Sequence, residues 1–305
     1  MPRLYFCPQR KNGSIIMICL WIMVILGILG MGLTGLVFQE IRFSSAISRL
    51  NLSLPMAKAA LRVVFYERAA DTTPDYDTLQ ELATEKSVSI CGSNPYKYYF
   101  VDKQTVQDSE EIIDESALIN INLASLDVLK RLPGVDEDMA DKIANAGFRP
   151  YSSINEVLLV EGVTVEKFRL FKDMVTVYGK GKVNINTASK AVLVCLGLDE
   201  ELADIILRYR KVHRIEPKKD KDGNPIGPQD ECGFSSLSSL VTDLREFSSL
   251  GLRQEQDLLS LQNSLAVKSG YLRFNIVPQI NNKTGTHYSV VINPETKKIV
   301  SWREY

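Results

Sequence analysis

The sequence predicts an α+β fold in which a long N-terminal transmembrane helix packs on a small antiparallel sheet and a large all-α domain is inserted in that sheet. Three observations predict it: residues 12–39 carry no charged side chain, strand-like segments lie near residue 100 and after residue 270, and an internal repeat lies between them. The 305 residues are 45% hydrophobic and 24% charged, which is typical of a chain that buries a core.

The uncharged stretch is long enough to span a membrane. As a helix, Ile15 to Phe38 reaches about 36 Å, against a hydrocarbon core of about 30 Å. Three basic residues precede it: Arg3, Arg10 and Lys11. No acid lies among them, and Glu40 and Arg42 offset each other after the span, so we expect a cytoplasmic N-terminus and an exported remainder.

The residues just before the span favour proteolytic processing. A basic pair and Gly13 precede it in R-K-N-G-S-I-I-M, an arrangement similar to the leader that prepilin peptidase cuts after glycine. The mature chain would then begin at Ser14. Its fifth residue would be Ile18, where most type IV pilin-like subunits have a glutamate, a costly residue in lipid unless it is paired. The alternative is an ordinary anchor that was never a pilin.

The middle of the span offers a face for close helix packing, because glycines lower its bulk. These glycines are Gly27, Gly30, Gly32 and Gly35. Glycine is also common in isolated transmembrane helices. Beyond the span, apolar residues recur at spacings of three and four, which predicts that the helix continues to about Ala70, with a kink or short break at Pro55.

Strand-like segments lie on both sides of a long middle region, so we expect one sheet built from both flanks. The segments are Tyr96–Asp102, Tyr271–Val277, His287–Ile292 and Lys298–Trp302. The predicted organisation is a leader at 1–13, a span at 14–38, the first part of the sheet-bearing domain at 39–120, an inserted helical domain at 121–265 and C-terminal strands at 266–305.

The inserted region contains an internal repeat. I-N-L-A-S-L-D-V-L at 121–129 matches I-N-T-A-S-K-A-V-L at 185–193, and the G-V-D-E-D-M-A-D-K-I that follows the first matches the G-L-D-E-E-L-A-D-I-I that follows the second. Y-S-S-I at 151–154 matches F-S-S-L at 234–237. The offset between the copies increases from 63 to 83 residues before this match, so the second copy carries 20 extra residues.

Each copy reads as a helix-hairpin-helix unit with a serine N-cap, a glycine turn and an acidic start to the second helix. In many proteins this motif holds DNA phosphates. Here the hairpins read G-V-D-E-D and G-L-D-E-E, and their clustered carboxylates would repel a phosphate backbone. We therefore favour a structural use of the motif over DNA binding.

Taken in order, the sequence resembles the K-type minor pseudopilin of type II secretion, the general secretion pathway protein K family. The strings that carry the resemblance are D-E-S-A-L-I-N-I-N-L-A-S, L-P-G-V, S-S-I-N-E-V-L-L-V-E-G-V-T, V-N-I-N-T-A and V-S-W-R-E-Y. It implies a non-enzymatic subunit at the tip of a periplasmic pseudopilus that helps to initiate assembly from the bacterial inner membrane. The implied partners are the I-type and J-type minor pseudopilins, prepilin peptidase and the inner-membrane secretion platform. Ile18 fits a first subunit, which has no preceding neighbour whose ammonium it must neutralise.

The extra residues of the second copy predict a calcium site. They include D-K-D-G-N-P-I-G-P-Q-D-E at 220–231, with oxygen-bearing residues at EF-hand positions one, three, five and twelve. The predicted ligands are Asp220, Asp222, Asn224, the carbonyl of Ile226 and Glu231, with Asp230 in reserve. Pro225 replaces the EF-hand glycine, so the loop would bind calcium without the flanking EF-hand helices. The resemblance also implies calcium in the inserted domain, whereas the alternative is a solvated acidic turn.

Two other functions stay open, a membrane-anchored DNA receptor and a membrane-anchored enzyme. Residues 12–305 carry 33 basic against 37 acidic side chains, and a net charge of −4 argues against a nucleic-acid partner. For an enzyme, neither His213 nor His287 has a partner acid or nucleophile at an informative spacing. The five cysteines contain no C-x-x-C pair that would indicate zinc or dithiol chemistry.

Overall fold

The computed structural model describes residues 13–71, 73–82, 98–99, 114–216, 218–219, 225–226, 231–280, 283–284 and 286–304. The chain divides into two compact units, Met1–Pro55 and Met56–Tyr305. The first unit is helical wherever it is described, and its apolar side chains from Ile15 to Phe38 are exposed. The second unit contains the sheet and the helical insertion.

The first helix, α1, runs from Gly13 to Ala69 over 57 residues. Its length confirms the predicted continuation to about residue 70. Of the kink or short break predicted at Pro55, the break is absent: the helix continues through that residue. In the second unit, one face of α1 buries small and branched side chains at helical spacing, namely Ala57, Ala60, Leu61 and Val64.

Residues from both flanks of the insertion form one antiparallel sheet. Its strands are β1 (Tyr98–Tyr99), β8 (Leu272–Ile280), β9 (Lys283–Thr284), β10 (Tyr288–Asn293) and β11 (Lys298–Glu304). The order is β1-β8-β10-β11, with β9 also paired to β8. Tyr98 pairs with Pro278 and Tyr99 with Val277, so the segment before the insertion joins the strands after it, as predicted.

The sheet packs one face on α1. Side chains that alternate along β8 and β10 face the helix and are buried, because successive strand residues point to opposite faces. They are Leu272, Ile276, Tyr288, Val290 and Ile292. This cluster, with the four buried α1 residues, is the core of the sheet-bearing region and confirms the predicted α+β architecture.

The insertion is built from short helices joined by two-residue strand pairs. A short helix, α2 (Leu79–Leu82), precedes the insertion. The helices of the insertion are α3 (Leu126–Lys130), α4 (Glu137–Ala144), α5 (Val165–Phe171), α6 (Lys190–Leu196), α7 (Glu200–Val212), α8 (Leu240–Phe247) and α9 (Leu252–Leu261). The strands are β2 (Ile119–Asn120), β3 (Val175–Thr176), β4 (Val183–Asn184), β5 (Lys218–Lys219), β6 (Pro225–Ile226) and β7 (Leu265–Ala266). β2 pairs in parallel with β3, β4 in parallel with β7, and β5 antiparallel with β6.

The two repeated units fold as helical hairpins, α3–α4 and α6–α7. Ser125 caps α3 and Ser189 caps α6, each accepting a hydrogen bond from the backbone N–H three residues on, as predicted. Gly134 in the first turn has φ +76°, which favours glycine. Asp136 and Asp199 then cap α4 and α7 in the same way, so carboxylates already occupy the helix ends to which a phosphate would bind.

Candidate functional site

The apolar part of α1 is the first candidate site. Among the described residues, α1 is the one helix long and apolar enough to cross a membrane. Gly13 and Ser14, the predicted cleavage residues, are its first two residues. Ile18 is 56% exposed in this chain. A Cβ added at Gly27 or Gly30 would meet nothing within 4 Å, so both positions are open to another helix or to lipid.

The second candidate site is a buried ionic cluster at the end of α1. Arg68 forms ion pairs with Asp71 at 3.4 Å, with Asp77 and with Glu81. Three carboxylates therefore surround one guanidinium, and all four side chains are less than a fifth exposed. Burial raises the pKa of Glu81 to about 7 and also raises that of Asp77, although Arg68 opposes both shifts.

The cluster continues into a buried network around Asp114. The backbone N–H of Ser269 donates to Asp77 at 2.7 Å, and the Ser269 hydroxyl donates to Asp114 at 2.5 Å. The Thr187 hydroxyl donates to the same Asp114 oxygen at 2.5 Å, and the Asn184 amide donates to the Ser269 hydroxyl at 2.8 Å. The network thus joins the end of α1, the second repeat and the segment that leads into β8.

Asp114 itself is almost fully buried, with 1% of its surface exposed. Burial raises its pKa to about 6, and the hydrogen bonds from Ser269, Thr187 and the backbone of Ser116 partly oppose the shift. A carboxylate held by two hydroxyls and a backbone N–H can stabilise one arrangement of the elements that it joins. We interpret this network as the structural junction between the sheet and the helical insertion.

Most of the predicted calcium ligands lie outside the described residues: Asp220, Asp222, Asn224 and Asp230. Of the other two, Ile226 lies in β6 and pairs with Lys218. Glu231 is only 4% exposed, and its Oε2 has no hydrogen-bond partner in the described part of the chain. Its carboxylate accepts a hydrogen bond from the Tyr76 hydroxyl, and burial raises its pKa. A buried carboxylate oxygen without a donor suits a cation ligand, so the chemistry of Glu231 fits the predicted metal.

The carboxylates of Asp71, Asp77 and Glu81 also have oxygens within 4.8 Å of one another, a spacing that could hold a metal ion. Arg68 already neutralises part of this charge. The sequence did not predict this cluster or the Asp114 network. The partners lie up to 192 residues apart, as Asp77 and Ser269 do, and no local spacing indicates such contacts. The only local signal was the acid-rich composition of residues 71–81.

No protein-family model matches the chain, and no curated protein sequence matches it. Among solved structures, it is similar to a chain of the GspK-GspI-GspJ complex from the type 2 secretion system of enterotoxigenic Escherichia coli. The similarity has a TM-score of 0.52 and 12% sequence identity, and it covers 85% of this chain and 96% of that chain. At this identity the similarity shows the fold, so the protein has an α+β, pseudopilin-like fold.

Proposed function

We propose that this protein is a non-enzymatic K-type minor pseudopilin that forms the tip of a periplasmic pseudopilus in type II secretion and helps to initiate its assembly. One observation carries the proposal: a membrane-length apolar helix with exposed side chains continues as the helix that packs on the sheet. Apolar surface of this extent needs lipid or other helices around it. A pseudopilin-like fold supplies both, since its subunits pass from a membrane into a helical bundle.

The position at the tip rests on two features of this chain. Ile18 stands where most pilin-like subunits have the glutamate that pairs with a neighbouring subunit's ammonium. The helical insertion enlarges the sheet-bearing unit by more than a hundred residues. A subunit without that carboxylate and with a large head suits the end of a filament, where no further subunit has to fit above it.

The partners follow from the same proposal. The solved neighbour was crystallised as a complex of GspK, GspI and GspJ. We therefore propose that this chain associates with an I-type and a J-type minor pseudopilin through α1. The open positions at Gly27 and Gly30 would allow close helix packing. Prepilin peptidase and the inner-membrane secretion platform complete the proposed partners.

Copurification tests the partnership. The tagged full-length chain, purified in detergent, should retain co-expressed I-type and J-type pseudopilins. Leu50→Asp places a charge on an exposed apolar position of α1, where Leu50 is 60% exposed, and should reduce the retained partners at least about tenfold. Asn51→Asp adds the same charge at the next residue and serves as the control. Equal retention by Leu50→Asp and the wild type would contradict the proposed contact along α1.

Processing and orientation are tested separately. We propose cleavage after Gly13, with the N-terminus in the cytoplasm and the head in the periplasm. N-terminal sequencing of the protein from a host with prepilin peptidase should begin at Ser14. A retained leader in that host would overturn the pseudopilin assignment. Protease added to spheroplasts should digest the head, and protection of the head would reverse the proposed orientation.

We also propose that the loop at 220–231 binds calcium, with Asp220, Asp222, Asn224, Ile226 and Glu231 as ligands. The unpartnered, buried oxygen of Glu231 supports this assignment. Chelation should then lower the melting temperature, because a ligand that binds only the folded state stabilises it. Asp222→Ala should abolish that response, whereas Asp173→Ala, at an exposed acid of the same domain, should keep it. Without any response to chelation, the metal site fails and the assembly role still stands.

A further inference from the structure

The second face of the sheet, away from α1, is polar. Two rows of side chains cross strands β8, β10 and β11 on this face. The pairing register places Asn275, Ser289 and Arg303 in one row and Arg273, Val291 and Ser301 in the next. These residues alternate with the buried residues that face α1, as successive side chains of a strand must.

This polar face forms the floor of a cleft of about 730 Å³, whose wall belongs to the helical insertion. The wall includes the apolar side chains of Ile154 and Phe168, and Lys172 with its neighbour Asp173. The volume falls within the range of about 300–1,000 Å³ that is usual for ligand sites in proteins. An antiparallel sheet can leave one face to solvent, but here the insertion covers that face and encloses a space above it.

Several polar groups in the cleft have free bonding capacity. The side chains of Asn275, Ser289 and Ser301 make no hydrogen bond with any part of the chain that the structure describes. Arg303 donates to the Ser153 hydroxyl at 2.9 Å and has no carboxylate partner among the described residues. A guanidinium carries five N–H donors, so the described residues leave most of the capacity of Arg303 unused.

The charges at the cleft are positive in balance. Arg273 pairs with the buried carboxylate of Glu115 and is 42% exposed. Among the described residues, the Lys172 ammonium pairs with the carboxylate of its neighbour Asp173, at 3.6 Å, and that carboxylate is 83% exposed. In the part of the chain that the structure describes, three cations at the cleft therefore face two carboxylates, and Arg303 contributes the unmatched charge.

We propose that this cleft binds an extended acidic segment of another polypeptide. Arg303 and Lys172 would pair with its carboxylates, the free amide and hydroxyls would bond to its main chain, and Ile154 and Phe168 would contact its apolar side chains. Asn275 and Ser301 lie two strands and two residues apart, so their Cα atoms are about 12 Å from each other. That spread of hydrogen-bonding groups exceeds a single small anion and suits the main chain of an extended segment. The inference goes beyond the pseudopilus role, because it needs only the sheet and the insertion.

Fluorescence anisotropy tests the proposal with full-length protein in detergent. The probe is a fluorescein-labelled decapeptide in which glutamate alternates with valine, and a peptide of lysine and valine is its charge-reversed control. The glutamate peptide should bind saturably and the lysine peptide should not. Arg303→Gln should weaken binding at least about tenfold, whereas Lys298→Gln, which removes an exposed cation from the same strand, should leave it unchanged.

A second variant covers the case in which Arg303→Gln unfolds. Ser301→Asp adds a negative charge to the floor of the cleft without removing any hydrogen bond of a described side chain, and it should abolish binding at an unchanged melting temperature. If Ser301→Asp and Lys298→Gln lost the same amount of peptide binding, the net charge of the protein would explain the effect, and the proposal would be overturned. Full displacement of the peptide by inorganic phosphate would show a small-anion site and would overturn it as well. Both results are independent of whether the chain retains its pseudopilin partners.

Discussion

In the first repeat of the insertion, the Asn122 side chain donates to the carbonyl of Tyr151 at 2.9 Å and accepts from its N–H at 2.8 Å. In the second, Asn186 makes the same two bonds to Phe234, at 2.9 and 2.8 Å. The partner lies 29 residues away in one repeat and 48 residues away in the other. The extra residues of the second repeat therefore leave this pair of internal hydrogen bonds unchanged.

The two repeats differ at the asparagine two positions earlier. The Asn120 amide donates to the carbonyls of Tyr178 and Gly179 within the insertion. The equivalent Asn184 is fully buried, and its amide donates to the Ser269 hydroxyl beside Asp114. The same local motif thus closes a loop in one repeat and joins the insertion to the sheet in the other. The comparison teaches that the surroundings decide what a repeated side chain does.

The largest expected effect tests whether equivalent residues of the two repeats are packed in the same way. Leu129 and Leu193 occupy equivalent positions and are both fully buried. Leu129→Ala and Leu193→Ala should each lower the free energy of unfolding by about 4 kcal/mol, because each leaves a cavity in the same core. Urea unfolding followed by circular dichroism measures both losses. A difference of more than about 2 kcal/mol between them would break the equivalence of the two repeats.

The asparagine pair tests the difference between the repeats. Asn184→Ala should lower the free energy of unfolding by about 3 kcal/mol, since it removes buried hydrogen bonds of the junction and leaves the Asn186 N–H without its acceptor. Asn120→Ala, whose broken bonds are partly buried, should lower it by about half as much. The same urea titration compares them. Equal losses would mean that the junction adds nothing to the stability of the second repeat.

A pH titration sharpens the role of Asp114, which accepts a hydrogen bond from Thr187 of the second repeat. Its pKa is about 6 in the folded protein, against 3.8 for an ordinary aspartate. Between these values the folded state holds a proton that the unfolded chain has lost, so the free energy of unfolding falls as the pH rises from about 4 to about 6. The contribution is on the order of 3 kcal/mol.

The Asp114→Asn variant has no carboxyl group at this position, so it should lose that part of the pH dependence of the free energy of unfolding. Asp173→Asn, at an acid whose side chain is 83% exposed, is the matched control and should leave the dependence as in the wild type. Thermal melting at several pH values between 4 and 7 measures the slope. An unchanged slope in Asp114→Asn would count against the raised pKa of the buried acid.

The smallest expected effect concerns the serine N-caps that both repeats have. The hydroxyls of Ser125 and Ser189 accept from the N–H of Val128 at 3.4 Å and of Val192 at 3.3 Å. Each serine-to-alanine change should lower the free energy of unfolding by about 1 kcal/mol. Serine-to-aspartate changes keep the cap and should restore most of it. A cap that proves neutral in only one repeat would show that its helix is held by packing instead.

Much of the fold could be predicted because its signals are local. The uncharged stretch predicted α1, the alternation after residue 270 predicted β8, β10 and β11, and Ser125 and Ser189 predicted the two helix starts. The break expected at Pro55 is absent. Proline removes one backbone donor, but the helix continues on both sides of it, and the next turn buries Ala57 and Ala60 on the sheet.

The site was less predictable. The apolar helix and its glycines follow from composition, and so does the acidic loop, whose predicted calcium ligands other than Ile226 and Glu231 lie outside the described residues. By contrast, the junction depends on Asp77, Asp114 and Ser269, whose partners are distant in the chain. Nothing in the residues around Asp114 indicates that its carboxylate is buried, because burial is a property of the whole packed core.

The sequence by itself determined the features that depend on neighbours along the chain: the apolar span, the strand alternation, the helix caps and the existence of two matching repeats. Only the tertiary structure decided which polar groups lose contact with water. It placed Asp114 between the second repeat and β8, and it turned the second face of the sheet toward the insertion to form a cleft. The physical reason is that hydrogen-bonding periodicity acts over a few residues, whereas desolvation and charge pairing depend on every element packed around a group.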